Sequence, residues 1–173
     1  MNDDMILRPY EPGDAEIIIS WIKDEKSFRK WSSDRYKSYP ITADDMNYKY
    51  IDCNGDCEGP DSFFPLTAVC DEEVVGHLIL RYTDEGHTVI RVGFVIVDDA
   101  KRGMGYGRKM LRLAVKYAKE VLKAERLTLG VFDNNPNAYN CYKAAGFKEA
   151  EKQERFAYDY NGEKWKCIEM EMV

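Results

Sequence analysis

The sequence predicts one α/β domain over residues 1–173, built on a mixed, mainly antiparallel sheet. Three observations carry that prediction. Residues 66–97 hold three strand-like runs separated only by short turns, so neighbours pair as an antiparallel meander. A glycine-rich turn then leads into a long amphipathic helix, a strand and a second helix. The chain closes on two strand-like runs around Asn161-Gly162, a strong hairpin signal. A chain of 173 residues fits a single domain with a substantial core.

The elements follow in chain order. "MILRPYEPGDAEIIISWIKDE" reads as a short strand, a turn at Pro12-Gly13-Asp14 and a helix from about Ala15, which Asp14 can cap. Trp31 to Tyr39 is aromatic and polar, without a clean period. "ITADDMNYKYI" reads as a second helix capped by Thr42, and "GDCEGPDSFFP" as a loop. "LTAVC", "VVGHLILRY" and "TVIRVGFVIV" supply the meander, rich in β-branched and aromatic residues. In "GRKMLRLAVKYAKEVLKAE" the residues Leu111, Ala114, Val115, Ala118 and Leu122 share one helical face. "RLTLGVF" is a strand. "PNAYNCYKAAG" is a short helix, with Pro136 in its first turn and Gly146 past its end.

Composition narrows the function. A net charge of -6 argues against a nucleic-acid binder. No apolar run is long enough to span a membrane, and "MNDDMILRPY" is acidic where a signal peptide is basic. Cys53, Cys57, Cys70, Cys141 and Cys167 make an odd set, read as reduced thiols in a cytoplasmic protein. "CNGDC" reads as a loop around an Asn-Gly turn. No metal site is expected, since structural zinc wants four ligands and the only histidines, His77 and His87, read as hairpin surface.

Against that acidic background, "KRGMGYGRKM" sets Gly103, Gly105 and Gly107 among Lys101, Arg102, Arg108 and Lys109. It sits between a strand and a helix N-terminus, where unsatisfied N–H groups and the helix dipole favour an anion. Glycine lets the backbone approach closely. The spacing matches neither GxxxxGK[ST] nor GxGxxG. On this stretch alone, a turn without a ligand remains an equal reading.

A second motif, "NNPNAYNCYKAAGF", follows one strand later. Together the two resemble the GNAT superfamily of acyl-CoA-dependent N-acetyltransferases. Arg102-Gly103-Met104-Gly105-Tyr106-Gly107 matches its pyrophosphate loop. Asn135, Ala138, Tyr142, Gly146 and Phe147 match its Asn-x-Ala-x-x-x-Tyr-x-x-x-Gly-Phe segment. The similarity runs from roughly Val74 to Phe147; "LRPYEPGDAE" also looks like the branch of ribosomal-protein alanine acetyltransferases.

The resemblance implies a sheet splayed in the middle with helices on both faces, and acetyl-CoA as co-substrate. It implies cofactor contacts from the main chain of Val95 and Val97, from Arg102, Gly103, Met104, Gly105, Tyr106, Gly107 and Arg108, and from Asn135. A helix-cap role for Asn135 stands beside this. Tyr142 becomes the general acid that protonates the leaving thiolate as a primary amine attacks the thioester. Cys141 has no sequence neighbour to activate it as a nucleophile.

One departure stands out. Some members carry a base carboxylate on the strand before the loop, where this chain has Arg91. The base stays open among Asp98, His77, His87, Glu85, a carboxylate of the N-terminal helices and bulk water. Trp21, Trp31, Tyr36, Tyr39, Tyr158 and Tyr160 are available to an acceptor pocket. The acceptor, a small molecule or a protein N-terminus, is not named by the sequence, nor is a homodimer decided. A second reading keeps the fold and drops the chemistry, leaving an acyl-CoA-binding sensor or interaction module.

Overall fold

The computed structural model describes residues 4–153 and 156–173. β1 (Ile6–Pro9) leads into the helices α1 (Asp14–Ser20), α2 (Glu25–Ser32) and α3 (Ala43–Asn47). The meander follows as β2 (Phe63–Cys70), β3 (Glu73–Tyr82) and β4 (Val89–Val97). Then come α4 (Tyr106–Glu120), β5 (Arg126–Phe132), α5 (Pro136–Ala144), β6 (Lys148–Glu149), β7 (Ala157–Tyr160) and β8 (Glu163–Met172).

The strands lie in the order β1-β2-β3-β4-β5-β8-β6, with β7 pairing β8. Every pairing is antiparallel except β4 with β5. Those two are parallel and meet only over Val89–Arg91 and Arg126–Thr128. Beyond that point they share no ladder, so the sheet is splayed at its middle, as the resemblance implies.

Alternation along β3 shows why helices cover both faces. Leu78 and Leu80 enter one core with Met110, Leu111, Ala114 and Ala118 of α4 and Tyr142 of α5. Ile79 enters another with Ala15, Ile18, Met46 and Tyr50. A third cluster joins Phe28, Tyr36 and Ile41 beside α2.

Thr42 caps α3 in a full capping box with Asp45, as its sequence suggests. Three features differ from the sequence reading. First, α2 breaks away from α1 as a separate helix, started by the Asp24 carboxylate accepting from Ser27 N–H at 2.7 Å. Its buried face includes Arg29 and Ser32, which blur the apolar period. Arg29 is satisfied by the carbonyls of Ser33, Tyr36 and Lys37. Second, β2 starts at Phe63 and runs through Pro65. β1 covers only Leu66–Val69, so the missing proline N–H costs no ladder bond on that side.

Third, His77 is not hairpin surface. It sits mid-strand in β3, which helices cover on both faces, and is fully buried. Its Nδ1–H donates to Leu66 O at 2.8 Å, which leaves Nε2 to accept from the Tyr50 hydroxyl at 2.7 Å. His87 does lie exposed in the β3–β4 hairpin, stacked on Tyr82 at 4.1 Å between centroids.

Candidate active site at the strand seam

The site begins with a bulge. Ile79 pairs with Gly93 but His77 pairs with Ile96, so β4 carries one extra residue there. Phe94 absorbs it at φ 50°. The bulge switches the strand's parity. Ile90 and Val92 face the α4 core before it, and Val95 and Val97 face that core after it. Phe94 and Ile96 turn to the opposite face. From Val92 on, no strand among the described residues covers the β5-facing edge of β4, so its main-chain polar groups line the seam. Val95 and Val97 lie in this run with side chains committed to the core, so main chain is what they can offer a ligand.

The glycine turn follows β4 directly. The Asp98 carboxylate accepts from Ala100 N–H at 3.0 Å and shapes a 3-10 turn over Asp99–Lys101, which commits it to the turn. Gly103 at φ 76° and Gly105 at φ 85° take left-handed conformations, and Gly105 is the residue from which α4 starts. No side chain caps this end of α4, leaving its first N–H groups to solvent or a ligand. Arg102, Met104 and Arg108 are exposed, and Tyr106 is half-buried. Gly107 has another task. A Cβ there would meet Cys141 Sγ at 3.1 Å and Val97 Cγ2 at 3.6 Å, so the glycine seats α4 against β4 and α5. Exposed cations around unspent helix N–H groups suit a phosphate.

α5 closes the seam. The Asn135 side chain accepts from Ala138 N–H at 3.4 Å, so the cap role is present, and Asn135 also lines the cleft. Tyr142 packs its ring into the α4 core, only 8% exposed, and reaches the same cleft. Among the described residues its hydroxyl has no hydrogen-bond partner, yet it is not sealed in like Trp165 Nε1 or Tyr36 Oη. Burial pushes the Tyr142 pKa well above the usual phenol value, so it holds its proton at neutral pH. Cys141 is raised by burial too, the reverse of an activated thiol.

The cleft on the α1–α3 side of the seam has a volume of about 1070 Å³. Trp31, Gly93, Phe94, Phe132 and Tyr142 are among the residues that line it. Of the aromatics weighed from sequence only Trp31 lines it; Trp21 and Tyr36 are buried, and Tyr158 and Tyr160 pack on Trp165. Of the named base candidates, Asp98, His77, His87 and Glu85 do not line it. Arg91 does, and it is held by both Glu169 oxygens at 2.8 Å. A carboxylate thus reaches the region from β8, already engaged. Nothing local in the sequence marks Glu169 or the Phe94 bulge, because both depend on strand register.

The sequence model of the Acetyltransferase (GNAT) family matches residues 25–147. A spermine/spermidine N(1)-acetyltransferase of Bacillus subtilis (strain 168) is 35% identical over 68 residues, 39% of this chain and 41% of that protein. An N-alpha-acetyltransferase of Sulfurisphaera tokodaii is 34% identical over 93 residues, 49% of this chain and 56% of that one. These matches therefore span between about two fifths and just over half of the relatives' length. The crystal structure of spermidine N-acetyltransferase from Vibrio cholerae in complex with CoA and spermine shares the fold. Its TM-score is 0.80 at 19% identity, covering 99% of this chain and 96% of that one.

Proposed function

The chain belongs to the acetyltransferase (GNAT) family, and on that premise we propose that it transfers an acetyl group from acetyl-CoA to a primary amine. One observation carries the reading: a buried, protonated tyrosine, Tyr142, which lines a strand seam with no hydrogen-bond partner for its hydroxyl among the described residues.

Acetyl-CoA supplies the activated acyl group. The turn from Arg102 to Arg108 holds its pyrophosphate through the free N–H groups of α4, with Arg102 and Arg108 adding charge. The open edge of β4 takes the pantetheine arm through the main chain of Val95 and Val97, with Asn135 beside it. N–H groups at the bulge stabilise negative charge on the acyl oxygen as the amine attacks. Tyr142 gives its proton to the departing sulfur. Arg91 is cationic and locked to Glu169, so it takes no proton from the amine. The amine's proton passes to solvent, and the rate follows the amine's own pKa.

The acceptor classes in the relatives' names, polyamines and α-amino groups, are both primary amines. A small amine and a protein N-terminus both belong to this proposal, as does the cytoplasmic setting expected from the cysteines. The test is thiol release from acetyl-CoA over a panel of primary amines, with product mass confirming a gain of one acetyl group. Binding of acetyl-CoA without acetyl transfer to any amine overturns the reading.

A further inference from the structure

The floor of the cleft carries two arginines that the transfer chemistry leaves unused. Arg81 on β3 lies directly opposite Arg91 on β4, and both line the cleft. Like charges facing each other across neighbouring strands are destabilising. Arg91 is compensated by its bidentate pair with Glu169. Arg81 is not. It is half-buried, and among the described residues no carboxylate or hydrogen-bond acceptor meets its guanidinium. Burial, and then the charges of Arg35 and Arg91, hold its pKa below the usual arginine value.

Arg35 follows α2 on the opposite wall and lines the same cleft, again without an ion pair among the described residues. Four carboxylates lie on the lining, but Glu169 is engaged by Arg91 and Glu171 by Arg126, and neither Asp34 nor Glu151 pairs with Arg81 or Arg35. Two guanidinium forks thus line the cleft without a carboxylate partner among the described residues. A guanidinium is shaped to take carboxylate or phosphate through two parallel bonds. Arg81 is two residues along β3 from Ile79, the partner of Gly93 at the bulge, a strand distance of about 7 Å. That separation suits a short molecule.

We propose that the acceptor is a small zwitterionic amine, its carboxylate or phosphate held by Arg81 and Arg35 and its amino group directed to the seam. The orientation rests on the acetyl-transfer reading; the anion site does not. A polyamine, cationic throughout, meets these arginines with repulsion.

The test compares matched amines on the full chain. L-amino acids are set against their primary amides, phosphoethanolamine against ethanolamine, and spermidine is run alongside. Each is measured by thiol release, and by thermal shift in the presence of CoA. The best anionic amine should exceed its neutral counterpart in kcat/KM by roughly 10- to 100-fold, the span expected of a charged hydrogen bond. Arg81→Gln and Arg35→Gln should each shrink that preference, while Arg126→Gln, whose arginine is paired with Glu171 at 3.2 Å, should keep it. The acid pair that shows the preference tells carboxylate from phosphate. If no amine is turned over, the acetyl-transfer reading fails. The anion site then stands or falls on thermal shifts that favour the acid over its neutral partner and vanish in Arg81→Gln. A preference for neutral amines or spermidine, a preference that survives both variants, or no shift with any anionic amine at 10-millimolar order overturns the proposal.

Discussion

The core beneath α4 and α5 is apolar nearly throughout: Leu78, Leu80, Leu111, Ala114, Leu127 and Leu129 meet there, with no buried ion among the described residues. The face under α1, α2 and α3 is built otherwise. It encloses Asp14, Arg29, Ser32, Thr67 and His77, the buried polar residues among those described. Each has a hydrogen-bond partner, local for Ser32 and Arg29 and distant in sequence for Asp14, Thr67 and His77. Asp14 accepts two bonds from Arg8 at 2.8 Å, one from Glu11 N–H at 2.9 Å and one from the Thr67 hydroxyl at 2.7 Å. The first face holds the proposed cofactor turn on a rigid apolar base. The second shapes the acceptor cleft through polar partnerships, each of which fails when one member is lost. Substitutions on the two faces should therefore fail in different ways.

The largest expected effect is on the apolar face and concerns rate. Tyr142→Phe keeps the ring in the α4 core and removes the proton donor. A drop in kcat of roughly 10²–10⁴-fold is expected, with acetyl-CoA affinity and melting temperature little changed. Turnover within about twofold of the parent, with chemistry shown to limit the rate, would mean Tyr142 is not the acid.

Asp14→Ala attacks the polar face and should cost stability instead. It strands the Arg8 guanidinium and the Thr67 hydroxyl, a loss of about 3 kcal/mol by urea unfolding. Acetyl-CoA affinity, measured by calorimetry, should hold. A loss below about 1 kcal/mol would show that the network is replaceable by water.

The faces should also separate by pH. Burial lowers the His77 pKa to about 4, against about 6.5 when unfolded. As pH falls through that window the unfolded chain takes up a proton that the folded one refuses. Stability therefore declines from about pH 6.5 down to about 4, by up to roughly 3 kcal/mol. Asp14 acts lower. Burial pushes its carboxyl up, but the bonds from Arg8, Glu11 and Thr67 outweigh that and hold it below the usual value. Its contribution is lost only as pH drops under about 4. Urea midpoints across pH 7 to 4 should slope in the parent and flatten in His77→Gln; an unchanged slope would remove His77 as the cause.

The smallest effect returns to the apolar face. Ala at position 107 gains helix propensity of up to about 1 kcal/mol, but its Cβ presses on Cys141 Sγ at 3.1 Å. Gly107→Ala alone should change stability by less than about 1 kcal/mol. Adding it to Cys141→Ala should release the full gain. A double-mutant cycle without coupling would show that the two residues do not press on each other.

Legibility divides along the same line. The meander, the amphipathic α4, the Pro136 start of α5 and the final hairpin all follow from local signals: period, caps and turn residues. The glycine turn and Tyr142 were legible because helix starts and single helical turns have short-range spacing. α2 was not, since its buried Arg29 and Ser32 erase the apolar period while three carbonyls just past the helix and a helix-internal bond satisfy them. His77 looked like hairpin surface because one residue gives no notice that helices will cover both faces of its strand.

The sequence by itself determined the order of elements, the apolar face of α4 and the anion-suited turn. Tertiary structure alone decided the rest. It set the bulge at Phe94, which flips which valines face the core, and the meeting of Arg91 with Glu169 across 78 positions of chain. It also left Arg81 on the cleft lining without an ion pair among the described residues. Local spacing reports what a residue can do within one or two turns of chain. Which distant charge it meets depends on strand register, and a shift of one residue in register moves every side chain to the other face.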